Sequence, residues 1–328
     1  MKILAVDDDP IILDLINTTL AKTGSCDVTT ASSGAEALKL LSTTPAIFDC
    51  LLLDVEMPVM DGIDLCAEIR ALPRYLYTPI LMLTQRTDAR AVGQAFVAGA
   101  TDYITKPFEV NDRLGRLRVA KRMMEKTANA TRISVQDMKK RGVPGAHCFE
   151  ETEPFYIVGI SQLVLPFSLG TYLSQQSRNH LDQCYVFTAT INNFEQLYHC
   201  GSTREVCLAL KAATKAIARG IDRPNLLMSH SGGGTLLGVF MSAQKPNWRA
   251  VESAVRKEIW NRGPRYDTGA KINISLSLAR PIQPNASPTQ RVKKTFDRAL
   301  QRVEQHRPEG RVLKADLAQP LHRLSANA

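Results

Sequence analysis

The chain has 328 residues, of which 44% are hydrophobic and 22% charged, with 19 Gly and 17 Pro, a composition that excludes wholesale disorder and collagen-like repeats. Net charge is +9 and unevenly spread: residues 1–122 carry 13 Lys and Arg against 16 Asp and Glu, and the remainder carries 28 against 16. An acidic leading part therefore precedes a basic one, and a chain of this length predicts two or three domains. No apolar run approaches the roughly 18 residues of a membrane span. The N-terminus Met1-Lys2-Ile3-Leu4-Ala5-Val6 turns acidic at once and lacks a secretory h-region, so a cytoplasmic location with no membrane partner is expected. The seven cysteines are odd in number and form no C-x-x-C, which fits reduced thiols better than a disulfide framework.

In chain order, β-type runs at Lys2–Val6, Asp27–Ala31, Cys50–Leu53, Ile80–Leu83 and Tyr103–Thr105 alternate with helical patterns near 10–23, 34–43, 62–72, 88–98 and 110–126. Five strands alternating with five helices predict an α/β fold, a doubly wound five-stranded parallel sheet over residues 1–125. Asp9-Pro10 reads as the N-cap and first residue of the first helix. Pro58, Pro79 and Pro107 punctuate strand–helix junctions.

The carboxylates carry the chemistry. Asp7 and Asp8 follow the first strand and Asp54 ends the third, at the carboxyl rim where open parallel sheets bind ligands. Crowded like charges call for a cation, and oxygen ligands suit a hard divalent one. Thr84 ends the fourth strand and Lys106 follows the fifth, adding a hydroxyl and an ammonium. Together these groups suit transfer of a phosphoryl group onto a carboxylate.

The motifs Ile3-Leu4-Ala5-Val6-Asp7-Asp8, Leu52-Leu53-Asp54-Val55-Glu56-Met57-Pro58-Val59-Met60-Asp61-Gly62, Leu83-Thr84 and Lys106-Pro107-Phe108 resemble the receiver domain of two-component response regulators. The resemblance implies a flavodoxin-like fold and Asp54 as the phosphoacceptor for a histidine kinase or phosphotransfer protein. It implies Mg²⁺ held by Asp8, Asp54 and the backbone carbonyl of Glu56, with Asp7 helping through water. It further implies Thr84 and Lys106 on the phosphoryl group, Tyr103 as the switch aromatic, and a cis Lys106–Pro107 bond. Gln85 departs from the family, which usually has a small residue there, and would narrow access to Asp54.

Residues 126–152 read as a helical, basic linker, with Thr127–Arg141 polar and Gly142-Val143-Pro144-Gly145 a break. The stripe Leu114, Leu117, Ala120, Met123 and Met124 serves the receiver core and, beyond Lys121, a homodimer or the second domain.

For residues 153–328 the expected order is a helix near 161–178, strand Cys184–Ile191, helix 203–219, strand Leu226–Ser231, the turn Gly232-Gly233-Gly234, and strand Leu236–Met241. A helix at 247–261, strand Ile272–Leu278, helix 288–305 and a terminal strand Arg311–Lys314 follow. That order is an α+β, ferredoxin-like βαββαβ layer, and three glycines also suit a plain hairpin turn. Order and spacing resemble the GGDEF catalytic domain of diguanylate cyclases. Gly232-Gly233-Gly234-Thr235 stands where the signature would be, and Thr190 where a strand normally delivers a metal aspartate, 44 positions before Gly234. No carboxylate stands at Thr190, Gly234 or Thr235, so the resemblance implies a degenerate cyclase with no nucleotide cofactor, acting through a downstream protein partner or dimerisation. Arg219-Gly220-Ile221-Asp222 matches the R-x-x-D of that family's c-di-GMP site but lies too far upstream of the glycines.

His199, Cys200, Cys207 and His230 could suggest a metal site, yet match no standard spacing. Arg291, Lys293, Lys294, Arg298 and Arg302 give a helix with a basic face, its Phe296, Leu300 and Val303 turned to the core; no helix-turn-helix accompanies it, and nucleic acid is not expected as a partner. The function expected is a response regulator phosphorylated on Asp54. Its rivals are an active cyclase with atypical ligands and a DNA-binding regulator.

Overall fold

The computed structural model describes residues 1–21, 26–76, 78–84, 89–106, 132–134, 142–158, 160, 162–266 and 269–304. Gln85, Pro107, Phe108, the expected helix 110–126, much of the expected linker and the segment 305–328 lie outside the described residues.

The leading unit is built from β1 (Lys2–Val6), α1 (Pro10–Ala21), β2 (Asp27–Ala31), α2 (Gly34–Thr43), β3 (Cys50–Asp54), α3 (Gly62–Ala71), β4 (Ile80–Thr84), α4 (Ala89–Val97) and β5 (Asp102–Thr105). The strands form one parallel sheet in the order β2-β1-β3-β4-β5. Side chains alternate across it. Ile3, Ala5, Leu52, Leu81 and Leu83 pack on Ile16 and Leu20 of α1, and Leu4, Val6, Leu53 and Met82 pack on Leu41, Leu65, Ile69 and Phe96 of the other helices. Burial on both faces is what a parallel sheet with two helix layers demands. The chain reverses its strand order between β1 and β3, which places the switch-point crevice beside Asp7 and Asp54.

The second unit contains β6 (Arg132–Ser134), β7 (Tyr156–Val158), α5 (Pro166–Ser174), β8 (Cys184–Ile191), α6 (Phe194–Cys200), α7 (Thr203–Ile221), β9 (Leu227–His230), β10 (Thr235–Met241), α8 (Trp248–Arg262), β11 (Leu276–Leu278) and α9 (Arg291–Glu304). Its main sheet is antiparallel in the order β11-β8-β10-β9. One face packs under α7 and α8 through Phe187, Ala189, Leu236 and Phe240. The other packs under α5 and α9 through Val186, Leu237 and Val239. A capping box, Ser202 with Glu205, starts α7.

The second unit differs from the expected elements at five points. The helix expected at 161–178 runs only over Pro166–Ser174, because Pro166 sets its first turn. The strand expected at Ile272–Leu278 shrinks to β11. Its partner β8 ends at Ile191, and the chain nearby bonds loops instead: Asn192 N donates to Ser275 O at 2.7 Å and Ile272 N to Pro264 O at 2.8 Å. The short helix α6 was not anticipated, nor was the parallel pair β6–β7, which brings Ile133 and Ile157 into the second core. Arg291 does not join a basic face. It is buried, and its guanidinium donates to the carbonyls of Ser174, Gln176, Asn285 and Ala286.

The two units share one apolar cluster. Phe96, Ala100 and Tyr103 of the parallel unit continue into Val164, Leu169, Tyr172 and Leu173 around α5.

Candidate functional site

The carboxyl rim of the parallel sheet gathers the expected residues. Asp7, 1% exposed, and Asp54, 4% exposed, flank Lys106, whose Nζ lies 2.8 Å from Asp7 Oδ2 and 2.5 Å from Asp54 Oδ1. Asp8 is exposed at the mouth, and carboxylate oxygens of Asp7, Asp8 and Asp54 lie within 4.8 Å of one another. Glu56 N donates to Asp54 Oδ2 at 3.0 Å, so one oxygen is held by the backbone and the other by Lys106. Thr84 is buried at the end of β4, and Lys106 N donates to Thr84 O at 2.7 Å. Asp7, Asp8, Asp54, Glu56 and Lys106 line a cavity of about 210 Å³, to which Asp9 and Ile12 also contribute.

Burial pushes the Asp54 carboxyl above its usual range, and the nearby Asp7 adds to this; Lys106 and the Glu56 N–H pull the other way without cancelling it. Burial alone would weaken the Lys106 ammonium, but its bonds to Asp54 and Asp7 hold it above the ordinary lysine value. The site is therefore a buried carboxylate clamped by a cation, with oxygen atoms of a kind suited to a hard divalent metal.

The loop after β3 shapes the site. Gly62 N donates to Val55 O, and a Cβ at Gly62 would sit 2.0 Å from Asp54 O, so only glycine lets α3 press on the end of β3. Gly62 closes the motif that begins before Asp54, eight residues earlier, and its role in this contact comes from the structure. Val59 holds φ 71° with its side chain fully in solvent, a strained position for a β-branched residue.

Tyr103 connects this rim to the second unit. Its ring meets Phe96 edge-on at 6.2 Å, and Phe96 meets Tyr172 of α5 edge-on at 5.6 Å. Beside them Gln175 Nε2 donates to Asp102 Oδ1 at 2.8 Å. Tyr172 is 0% exposed, and its hydroxyl has no hydrogen-bond partner among the described residues.

In the second unit Thr190 and Thr235 stand opposite each other in register, and their hydroxyls bond mutually at 3.0 Å. Gly232, Gly233 and Gly234 all have positive φ (92°, 55° and 68°). A Cβ at Gly232 would lie 2.0 Å from Thr152 O, and Gly233 N donates to Glu151 O. The glycine turn thus seats the chain's own segment around 151–153. Behind it, Phe155 N donates to His230 Nδ1 at 3.2 Å, and burial pulls the His230 imidazole down to about 3. Arg219 pairs with Glu258, while Asp222 ends α7 in the left-handed region. His199 and Cys200 are exposed whereas Cys207 and His230 are buried, and among the described residues the metal-capable group is Asp7, Asp8 and Asp54.

The family described as "Response regulator receiver domain" matches residues 3–118. The chain is 41% identical over 120 residues to the transcriptional regulatory protein KdpE of Mycobacterium tuberculosis, covering 37% of this chain and 50% of that one. It is 37% identical over 144 residues to the alkaline phosphatase synthesis transcriptional regulatory protein PhoP of Bacillus subtilis, covering 44% and 58%. A solved structure of the Vibrio cholerae chemotaxis protein CheY4 is 37% identical, covering 36% of this chain and 97% of that one, with a TM-score of 0.35. The chain thus spans about half the length of these curated relatives. Among the described residues no helix is long and apolar enough to cross a membrane. Motifs, site and family match agree on the leading unit: it is the receiver domain of a two-component response regulator.

Proposed function

We propose that this chain accepts a phosphoryl group on Asp54 from a histidine kinase or phosphotransfer protein and relays the event to its second unit. The observation that carries the reading is Lys106 bridging Asp7 and Asp54 inside the switch-point crevice. An Asp54 carboxylate oxygen attacks phosphorus; the new O–P bond forms as the bond from phosphorus to the donor's imidazole nitrogen breaks, and that nitrogen leaves with the bonding pair. Asp7, Asp8, Asp54 and the Glu56 carbonyl would hold Mg²⁺, which when bound neutralises charge on the phosphoryl oxygens. Lys106 then shifts its ammonium from the carboxylate to a phosphoryl oxygen, and the Thr84 hydroxyl donates to another.

Movement of Thr84 and Lys106 disturbs β4 and β5, and Tyr103 on β5 lies against the Phe96–Tyr172 contact. The α4–β5 face is the route by which the second unit senses phosphate. Unbonded Tyr172 Oη, Gln175 Oε1 and Asn225 Oδ1 are buried on residues at or beside this contact, which leaves it less than fully satisfied and ready to rearrange.

The second unit is read as a degenerate cyclase domain acting through protein contacts. Its split βαββαβ order supports the fold reading, and the Thr190–Thr235 hydroxyl pair supports loss of the metal carboxylates. The relatives' names as transcriptional regulators suggest DNA-binding output instead. Burial of Arg291 removes one cation from the only helix considered for it, leaving Lys293, Lys294 and Arg298 exposed.

The test incubates the intact chain with acetyl phosphate and Mg²⁺. The expected result is one acid-labile phosphoryl group, lost in Asp54→Asn, with no turnover of GTP or ATP and no salt-sensitive retention of duplex DNA. Labelling that survives Asp54→Asn overturns the receiver assignment. Nucleotide turnover or DNA retention overturns the output assignment.

A further inference from the structure

Between the two units lies a second cavity, of about 350 Å³. Arg70, Phe96 and Thr101 line it from the receiver, and Tyr156, Leu163 and Ser168 from the second unit. Its size sits at the small end of ligand cavities, roughly 300–1,000 Å³, and its place between two domains is a common one for ligands.

Arg70 is the charge in this wall. A guanidinium has five N–H donors. Nε donates to Gly99 O at 2.9 Å, and Nη1 donates to Tyr75 O at 2.7 Å and Thr78 O at 2.8 Å. These carbonyls account for three donors and explain why an arginine can stand here structurally. The two N–H groups of Nη2 have no partner among the described residues, and no carboxylate among them pairs with Arg70. Burial pulls the guanidinium below its ordinary value, against opposing contributions from Cys66, Tyr156 and Cys50. Arg70 is half-buried, so this wall presents a partly desolvated cation with no counter-ion among the described residues.

We propose that the cavity between the receiver and the second unit binds a small organic carboxylate with an apolar body, its carboxylate accepting from Arg70 Nη2 and its body lying along the half-buried Leu76, Val97 and Leu165 of the lining. A carboxylate suits a single cation with one free edge. A phosphate dianion would leave most of its acceptors against apolar side chains. Because both units line the cavity, the bound molecule favours their docked arrangement by mass action. This site is an input separate from Asp54 and does not rest on the phosphotransfer reading.

Isothermal titration of the intact chain with sodium octanoate and sodium 3-phenylpropanoate tests it, with octanol and acetate as comparators. The expected result is saturable one-to-one binding of at least one of the two amphipathic carboxylates, at least tenfold tighter than octanol or acetate. Arg70→Met weakens it at least tenfold. Ala98→Leu, which fills the cavity and leaves Arg70 in place, does the same with unchanged circular dichroism. If Arg70→Met fails to fold, the octanol comparison and Ala98→Leu decide. Absence of saturable binding by both carboxylates, equal binding of octanol, or binding untouched in folded Ala98→Leu overturns the proposal.

Discussion

At the rim of the parallel sheet, Asp7, Asp54 and Lys106 meet as charges; at the rim of the antiparallel sheet, Thr190 and Thr235 meet as two hydroxyls. Both clusters are buried and both sit where central strands end. The first gathers groups whose mutual repulsion and desolvation are costly, a cost retained where chemistry needs it. The second satisfies itself: each hydroxyl partners the other, and the adjoining glycines admit the segment around Thr152 instead of a ligand. Similar places in two sheets thus differ in chemistry, one crowding charges and one closing a hydroxyl pair on itself.

The largest expected effect comes from making the second rim imitate the first. Thr190→Asp puts a carboxylate at a fully buried position with no cation beside it. Urea unfolding should register a loss of about 3–5 kcal/mol, and Mn²⁺ should not restore it. Rescue by Mn²⁺ would mean that the second rim keeps a working metal geometry.

Lys106→Met removes the cation from the first rim and should cost about 3 kcal/mol near neutral pH. Asp54 already sits above its usual carboxyl range, so between its unfolded and folded values the folded state binds more protons than the unfolded state. Stability from this group is present in acid and lost as pH rises through the folded value. Removing Lys106 raises that value further, so the deficit should shrink as the solution is acidified. A deficit independent of pH would point to lost packing instead.

His230 carries the opposite sign. Its folded value of about 3 lies below its ordinary 6.5, so the unfolded state binds more protons between the two. Stability of the second unit is full above that range and falls with acid, by about 1.4 kcal/mol at about pH 5.5. His230→Gln should flatten the slope in a series of urea melts, and an unchanged slope would assign the acid sensitivity elsewhere.

The smallest effect is at Val59. Asn tolerates the left-handed region better than a β-branched residue, so Val59→Asn should stabilise the receiver by about 1 kcal/mol. A loss would show that the exposed valine makes a contact worth more than its strain.

How legible the molecule was differs between the halves for the same physical reason. Strands β1, β3 and β4 of the receiver are buried on both faces, so each reads as a short apolar run, and Asp7 and Asp54 follow directly from where β1 and β3 stop. Strand β8 was legible to the residue on the same grounds. Residues 272–275 were not, because whether they pair depends on where β8 ends. Arg291 read as a surface charge because the carbonyls it serves, on Ser174 and Gln176, lie more than a hundred positions away. The Phe96–Tyr172 contact was illegible too, since neither local pattern distinguishes burial within a unit from burial between two. Asp7, Asp54 and Lys106 were expected together and do meet, and Thr190 and Thr235 meet as well, across two neighbouring strands.

The relay from Asp54 to the second unit is most directly tested by hydrogen exchange across residues 166–174 of the intact chain, with and without acetyl phosphate and Mg²⁺. Exchange there should rise at least severalfold in the phosphorylated chain and stay unchanged in Asp54→Asn. A fully phosphorylated chain whose α5 exchanges at the original rate would contradict the account.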